Sequence, residues 1–327
     1  MARPTVADLP LTTLRSSQDG PVLTVRIDAP PHDYMTAAMQ RDFLDLVRAV
    51  DADDTVRVVV VTGAGPGRYI THYDIGDLLE AADAAPLLPR PAARLLLGAV
   101  RTLTAVGGER VVERSRLSGI LAITRFHELV TRLLRSRAIW IAAIDGPCGG
   151  GGLEMSVCFD VRLAADTASF LLPELSIGLT TTVGAQRLVH LMGPSRALRV
   201  MLDARAISAA EAQASGLVDE VRPAADVVAE AQALAARYAR RSPAAVAAQK
   251  RIINAAYDVG LRAGLRAEGV AQMTNVPTAS TRALLRTWLS MQREDGASVF
   301  RTDPEPWAEG TAGAVAQTSL TPARDAV

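Results

Sequence analysis

Lysine is almost missing from this chain: Lys250 is the only one in 327 residues, and arginine supplies the rest of the 35 basic side chains. The bias resembles GC-rich coding, and it leaves phosphate recognition open, because arginine is itself a good phosphate ligand. Net charge is missing too. The 35 basic residues meet 35 acidic ones, which removes the broad electrostatic case for nucleic acid or an anionic membrane surface. Cysteine is scarce: Cys148 and Cys158 are the two present, as expected of a cytoplasmic protein with reduced thiols. No run approaches the ~18 apolar residues of a membrane span, and Met1 to Pro10 lacks the apolar core of a secretory signal. No Gly-x-Ser-x-Gly marks a serine nucleophile, and no Gly-Lys-Ser/Thr marks a phosphate loop. His32, His72, His127 and His190 are scattered, so no metal site is expected.

Hydrophobic residues make up 49% of the chain, ample for a core in one large domain or two. Val22 to Ile27 predicts a strand. Thr36 to Val50 predicts a helix, with Met39, Phe43, Leu46, Val47 and Val50 on one face. Val56 to Thr62 is a β-branched run of the kind found in buried parallel strands, and it ends in Gly63-Ala64-Gly65-Pro66-Gly67, a loop. Residues 78–138 are helical in composition, broken by Pro86, Pro89, Pro91 and Gly107-Gly108. Ile139 to Ile144 predicts another strand, running into Asp145-Gly146-Pro147-Cys148 and four glycines, with a helix from about Leu153 to Cys158. Short strands are expected around Val161 to Ala164 and Ser169 to Leu172. Helices then dominate: one capped by Ser208 with Glu211 at capping-box spacing, one started by Ser242 and Pro243, then 261–273 and 280–292. The last thirty residues, rich in Thr, Pro, Ala and Gly, predict a loose tail. Strands alternating with helices, followed by helices alone, indicate an α/β fold with a helical C-terminal region.

Three places could carry chemistry. In the first, Gly149-Gly150-Gly151-Gly152-Leu153-Glu154 joins a strand to a helix; such a junction exposes backbone N–H groups at the positive end of the helix dipole, but it equally suits a plain flexible turn with a dipole-favoured acid. The second is the loop from Gly63 to Asp77. As a dinucleotide fingerprint it is a weak match, because Arg68 stands where the third glycine would fall and Pro66-Gly67 disfavour an immediate helix. The third is Leu172-Pro173-Glu174. A lone glutamate is ordinarily a surface residue, but one facing Glu154 across a water could divide acid and base work with it.

In this order and with these neighbours, the three places resemble the crotonase (enoyl-CoA hydratase/isomerase) superfamily. The likeness runs through residues 56–74, through IWIAAIDGPCGGGGLEMSVCFD at 139–160 and through ASFLLPELSIGLTTTVGAQRLVHLMG at 168–193. It continues in ARAISAAEAQASGLVDEV and SPAAVAAQKRIINAA and covers most of residues 20–295. It implies a spiral of ββα units over residues 1–240, with an extended helical insertion at about 78–138. A C-terminal helical region over 241–296 and a loose tail over 297–327 complete the expected organisation. By position, Thr71 and Gly151 correspond to the two N–H donors of the family's oxyanion hole, and Glu154 and Glu174 to its two catalytic glutamates. Thr71, His72, Tyr73, Asp74, Gly150 and Gly151 are the implied substrate-binding residues. The implied activity is hydration of a 2-enoyl-CoA, with coenzyme A present only as part of the substrate and no separate cofactor or metal. Isomerisation, C–C hydrolysis or thioester hydrolysis of an unusual acyl-CoA are alternatives, as is a non-catalytic acyl-CoA-binding subunit. The implied assembly is a homotrimer or a dimer of trimers.

Four departures from the family pattern stand out. His72 replaces a glycine and Tyr73 a small residue in the oxyanion loop. Thr180-Thr181-Thr182-Val183-Gly184 replaces a proline- and glycine-rich turn. The span from Thr71 to Gly151 is longer than the pattern by roughly 35 residues, a size typical of lids or partner surfaces.

Overall fold

The computed structural model describes residues 6, 9–84, 88–115, 117–256, 258–275, 278–291 and 303–312. By its contacts the chain divides into two compact units, Met1–Gln232 and Ala233–Val327.

The first unit is built on a six-stranded sheet. Strands β1 (Leu14–Asp19), β2 (Val22–Ile27), β3 (Val58–Gly63), β4 (Ile139–Ile144), β6 (Val161–Ala165) and β9 (Glu220–Arg222) lie in that order. β1 and β2 form an antiparallel hairpin, and every later pairing in this sheet is parallel. β3 is buried along its whole length, as its VVVVTG sequence requires of a strand covered on both faces. A second, three-stranded sheet sets β5 (Cys148–Gly149) parallel to β7 (Ser169–Leu171), which pairs antiparallel with β8 (Ile207–Ser208). The sheets make the molecule mixed α/β, as expected.

Helix α1 (Ala37–Ala52) starts where Thr36 accepts the Met39 N–H at 3.2 Å, and it buries Met39, Phe43, Leu46, Val47 and Val50. Helix α2 (Ile75–Ala84) follows β3 and its loop. The long insertion then folds as three helices, α3 (Arg90–Ala105), α4 (Glu109–Glu113) and α5 (Ser118–Arg135). The Gly107-Gly108 pair separates the first two, as expected. Val100, Val112 and Leu121 form a small core between these helices, with Leu117 and Ile120 packed against it. Arg125, itself buried, clamps α5 to α4 by ion pairs to Glu109 at 2.5 Å and Glu113 at 3.1 Å.

Helix α6 runs from Gly151 to Ser156, two residues earlier at both ends than its sequence indicates. Residues Glu174–Ile177 form a 3-10 turn, followed by α7 (Gly184–Met192), α8 (Pro194–Asp203) and α9 (Ala209–Ser215). The capping box on α9 is complete: Ser208 accepts the Glu211 N–H and the Glu211 carboxylate accepts the Ser208 N–H. Helix α10 (Val227–Tyr238) leads out of the first unit.

The second unit is helical: α11 (Pro243–Ala255), α12 (Leu261–Asn275), α13 (Ala279–Ser290) and a short α14 (Glu305–Glu309). Ser242 sits at the start of α11 but, contrary to expectation, makes no side-chain capping bond; Pro243 alone shapes that start. The expected loose tail lies mostly outside the described residues. Within it, α14 is held by Glu309, which pairs with Arg240 at 2.7 Å.

Candidate active site

Three loops of the first unit converge. The loop after β3 carries Thr71 to Asp74 and is tied down on both sides. Arg68 makes a two-pronged ion pair with buried Asp33, at 2.7 Å on each oxygen, and the Tyr69 hydroxyl meets Ser156 Oγ of α6 at 3.1 Å. Beside it runs the glycine turn: the Gly149 N–H donates to Ile70 O at 3.2 Å, and the Gly150 N–H to Leu171 O at 3.0 Å. Residues 70–72 and 149–151 are therefore neighbours, and Leu171 draws the Pro173-Glu174 segment to the same place.

Gly150 adopts φ 46° with ψ −127°, a positive-φ conformation that turns the strand into α6 and that side chains disfavour. Gly151 is glycine for a different reason. A Cβ on it would stand 2.5 Å from Cζ of Tyr73, so the Tyr73 ring lies directly against its backbone. As the first residue of α6, Gly151 has an N–H with no carbonyl of its own helix to meet.

Glu154 is 1% exposed and is gripped on both oxygens. Oε1 accepts N–H groups from Thr182 at 2.5 Å, Val183 at 2.9 Å and Gly184 at 3.1 Å. These groups form the N-terminal end of α7, where the helix dipole favours a negative charge. Oε2 accepts the Tyr73 hydroxyl at 2.9 Å. Burial, and then the Glu154 carboxylate, push the Tyr73 phenol well above its usual range, so it stays protonated and donates. The Tyr73 ring also packs edge-on to Phe126 of α5, with centroids 6.2 Å apart.

Glu174 is in the opposite condition. It is 6% exposed, yet Oε2 has no hydrogen-bond partner among the described residues. Its Oε1 lies 3.3 Å from where a Gly150 Cβ would be, and His72 Cα lies 3.5 Å from that point. Burial, reinforced by the charge of Glu154, raises its carboxyl to about 7. A buried carboxyl with a free oxygen, poised near neutrality beside a helix-start N–H, is equipped to move a proton.

Comparison with known proteins fits this geometry. The enoyl-CoA hydratase/isomerase family model matches residues 114–289. The probable enoyl-CoA hydratase echA8 of Mycobacterium bovis is 31% identical over 218 residues, 66% of this chain and 84% of that protein. The chain belongs to the enoyl-CoA hydratase/isomerase family. The 2,3-dehydroadipyl-CoA hydratase of Escherichia coli is 37% identical over a shorter stretch, 43% of this chain and 56% of that protein. Among solved structures, a Thermobifida fusca protein in complex with CoA superposes with a TM-score of 0.65 at 28% identity, covering 84% of this chain and 96% of that one. An enoyl-CoA hydratase/isomerase from Cupriavidus metallidurans gives a TM-score of 0.71 at 25% identity, covering 90% and 97%. These matches establish the crotonase fold.

The structure gathers the sequence-derived site residues into one place, with individual differences. Thr71, Gly150, Gly151, Glu154 and Glu174 converge as described. The Thr71 hydroxyl is occupied by His32 O at 2.6 Å, which leaves its backbone as its contribution to the loop. Tyr73 enters the site. His72 donates from Nδ1 to the Tyr73 carbonyl, and its ring stacks on Tyr34 at 4.5 Å, which stacks in turn on His32 at 4.9 Å. Asp74 caps α2, accepting the Gly76 N–H at 2.8 Å and the Asp77 N–H at 3.3 Å. Sequence reasoning missed the grip of 182–184 on Glu154. Its signal was the altered threonine run, but backbone N–H groups leave no side-chain signature. Among the described residues no three His, Cys, Asp or Glu side chains group closely enough to hold a metal ion, and no helix is long and apolar enough to cross a membrane.

The Gly151–Tyr73 contact makes a separate prediction. Gly151→Ala is expected to cost about 1–3 kcal/mol in urea denaturation, the usual penalty of overpacking. Tyr73→Ala in the same chain removes the clash, so the double variant should be more stable than the two single losses added together. Additive losses would mean that the ring yields freely.

Proposed function

We propose that this chain adds water across the double bond of a 2-enoyl-CoA through an enolate. Glu174 carries the proton, and Glu154 is a fixed acceptor that orients the water. The observation that carries this reading is the asymmetry of the two carboxylates: Glu154 is held by four donors, whereas Glu174 is buried, has a free oxygen and titrates near neutrality. The CoA complex of a family member with the same fold supports a CoA thioester as the substrate class.

The chemistry balances with one water. Its oxygen bonds Cβ while Glu174, as carboxylate, takes its proton. The electron pair of the double bond moves to the thioester oxygen, where the Thr71 and Gly151 N–H groups receive the charge; a donor so placed is typically worth about 10²–10³ in rate. Glu174 then returns the proton to Cα as the enolate collapses. No cofactor beyond the CoA of the substrate is involved. A pure binding role has no use for a buried carboxyl with one unpartnered oxygen, which is costly to keep.

The saturation of Glu154 favours a second reading, in which Glu174 alone shuttles a proton and moves the double bond. The two separate on substrate. With crotonyl-CoA, hydration consumes the conjugated thioester and yields a 3-hydroxyacyl-CoA. If crotonyl-CoA is left intact while a 3-enoyl-CoA becomes a 2-enoyl-CoA, the hydratase reading is wrong and the isomerase reading stands.

A further inference from the structure

The insertion between Thr71 and Gly151 reaches the site through two successive residues of α5. Phe126 packs against the Tyr73 ring. His127 places Nε2 3.1 Å from Thr182 O, and its Nδ1 is 2.7 Å from Arg101 Nη2 on α3. The arginine settles the proton positions. A guanidinium has donors only, so Nδ1 must accept, the ring proton sits on Nε2, and Nε2 donates to the Thr182 carbonyl. That carbonyl belongs to the same peptide group as the Val183 N–H, which donates to Glu154 Oε1 at 2.9 Å. A continuous chain of hydrogen bonds therefore runs from Arg101 to His127, through the Thr182–Val183 peptide to Glu154; the Tyr73 hydroxyl, steered by Phe126, meets the far oxygen of that carboxylate. Each link polarises the next in the same sense, the arrangement in which such bonds strengthen one another.

The Arg101 side chain at the near end of this chain is exposed, but its backbone is anchored. Arg101 follows Val100, which is 1% exposed in the small core of α3, α4 and α5. α5 is anchored by the Arg125 clamp to α4 and, one turn further on, by Glu128, which pairs with Arg48 of α1 at 2.9 Å.

We propose that His127 is a positioning residue of the active site. With its tautomer set by Arg101, it fixes the Thr182–Val183 peptide, so that the N–H groups at the start of α7 hold Glu154 in one orientation. The insertion thereby governs turnover rather than substrate affinity. This rests on the reading of Glu154 and Glu174 as an acyl-CoA site.

The test uses the full chain with His127→Ala, His127→Gln and Arg101→Ala, each first checked for cooperative thermal unfolding. His127→Ala should lower kcat on crotonyl-CoA about 10-fold with KM within about twofold, because a misplaced group costs rate rather than ground-state binding. Amide hydrogen exchange at residues 182–184 should speed up by about 10-fold. Glutamine offers its carbonyl to Arg101 and its N–H to Thr182, so His127→Gln should restore both readouts to within about threefold of the wild type. Arg101→Ala frees the other tautomer and should fall between. Unchanged exchange at 182–184 in His127→Ala, or a folded His127→Gln that behaves as alanine does, overturns the proposal. So does a change in KM in place of kcat. Exchange needs no substrate. If the wild type turns over no acyl-CoA thioester, the functional reading has failed, and the exchange arm alone still decides the positioning role.

Discussion

Glu174→Gln is expected to lose about 10²–10⁴-fold in turnover, the range for a positioned acid–base group, while the protein becomes more stable at alkaline pH. Both effects come from one fact. Glu174 is buried with a free oxygen, and its carboxyl is raised to about 7 by burial and then by the charge of Glu154. In the unfolded chain an ordinary glutamate titrates at about 4.3. Between these values the folded state binds the proton that the unfolded state has lost. Stability tied to this group is therefore fully present below about pH 4 and declines as pH rises through about 7. A glutamine side chain cannot ionise. Urea denaturation at pH 8 should show the variant on the order of 2–4 kcal/mol more stable than the wild type, the lower end allowing for solvent screening, with the difference vanishing toward pH 4. A catalytic group that weakens the fold holding it is the usual form of a trade between activity and stability. Equal stabilities at pH 8 would mean that the carboxyl is not strained.

Glu154→Ala should be among the most damaging substitutions in the first unit, and Glu154→Gln mild for the fold. Alanine leaves three N–H groups at the start of α7 and the Tyr73 hydroxyl without their acceptor. Each buried donor so stranded costs about 1–3 kcal/mol, and half-buried Thr182 and Val183 can recover some of this from water, which gives an expected loss of about 3–5 kcal/mol. Glutamine keeps a carbonyl for the three N–H groups, and its amide can donate to the Tyr73 oxygen, which then accepts. The loss should then be about 1 kcal/mol. Paired thermal or urea unfolding of the two variants decides it. Comparable losses in both would show that the grip on Glu154 contributes little.

Much of the fold was legible because burial on both faces leaves a plain mark. β3 (VVVVTG) and β4 (IWIAAI) are almost wholly apolar, and the structure keeps Ile139–Ile144 to the residue. β1 was not legible. Its LRSSQD sequence is exposed at five of six positions, and it pairs only along the sheet edge with β2, so neither alternation nor hydrophobicity marks it. β5 and β8 are two residues long and exist only because the loops around them meet. For the candidate site, the residues alone leave Gly151, Glu154 and Glu174 open; their positions in the resemblance to the crotonase superfamily single them out. What held Glu154 could not be found. Three of its four partners are backbone groups, and the fourth is Tyr73, a residue whose departure from the family pattern was visible but whose aim depends on how the loop after β3 meets α6. In the sequence His127 is one of four scattered histidines, because its two partners lie 26 and 55 residues away in the chain.

The proposed role of Glu174 as proton carrier is tested most directly by the pH dependence of kcat/KM on crotonyl-CoA. The carboxylate form is the working form, so activity should be low in acid and rise through an apparent pKa near 7, about tenfold per pH unit on the acid limb. The Glu174→Gln variant, beyond its lower rate, should lack that rise. A wild-type profile that is flat from about pH 5.5 to 9, or the same rise surviving in Glu174→Gln, would contradict the account.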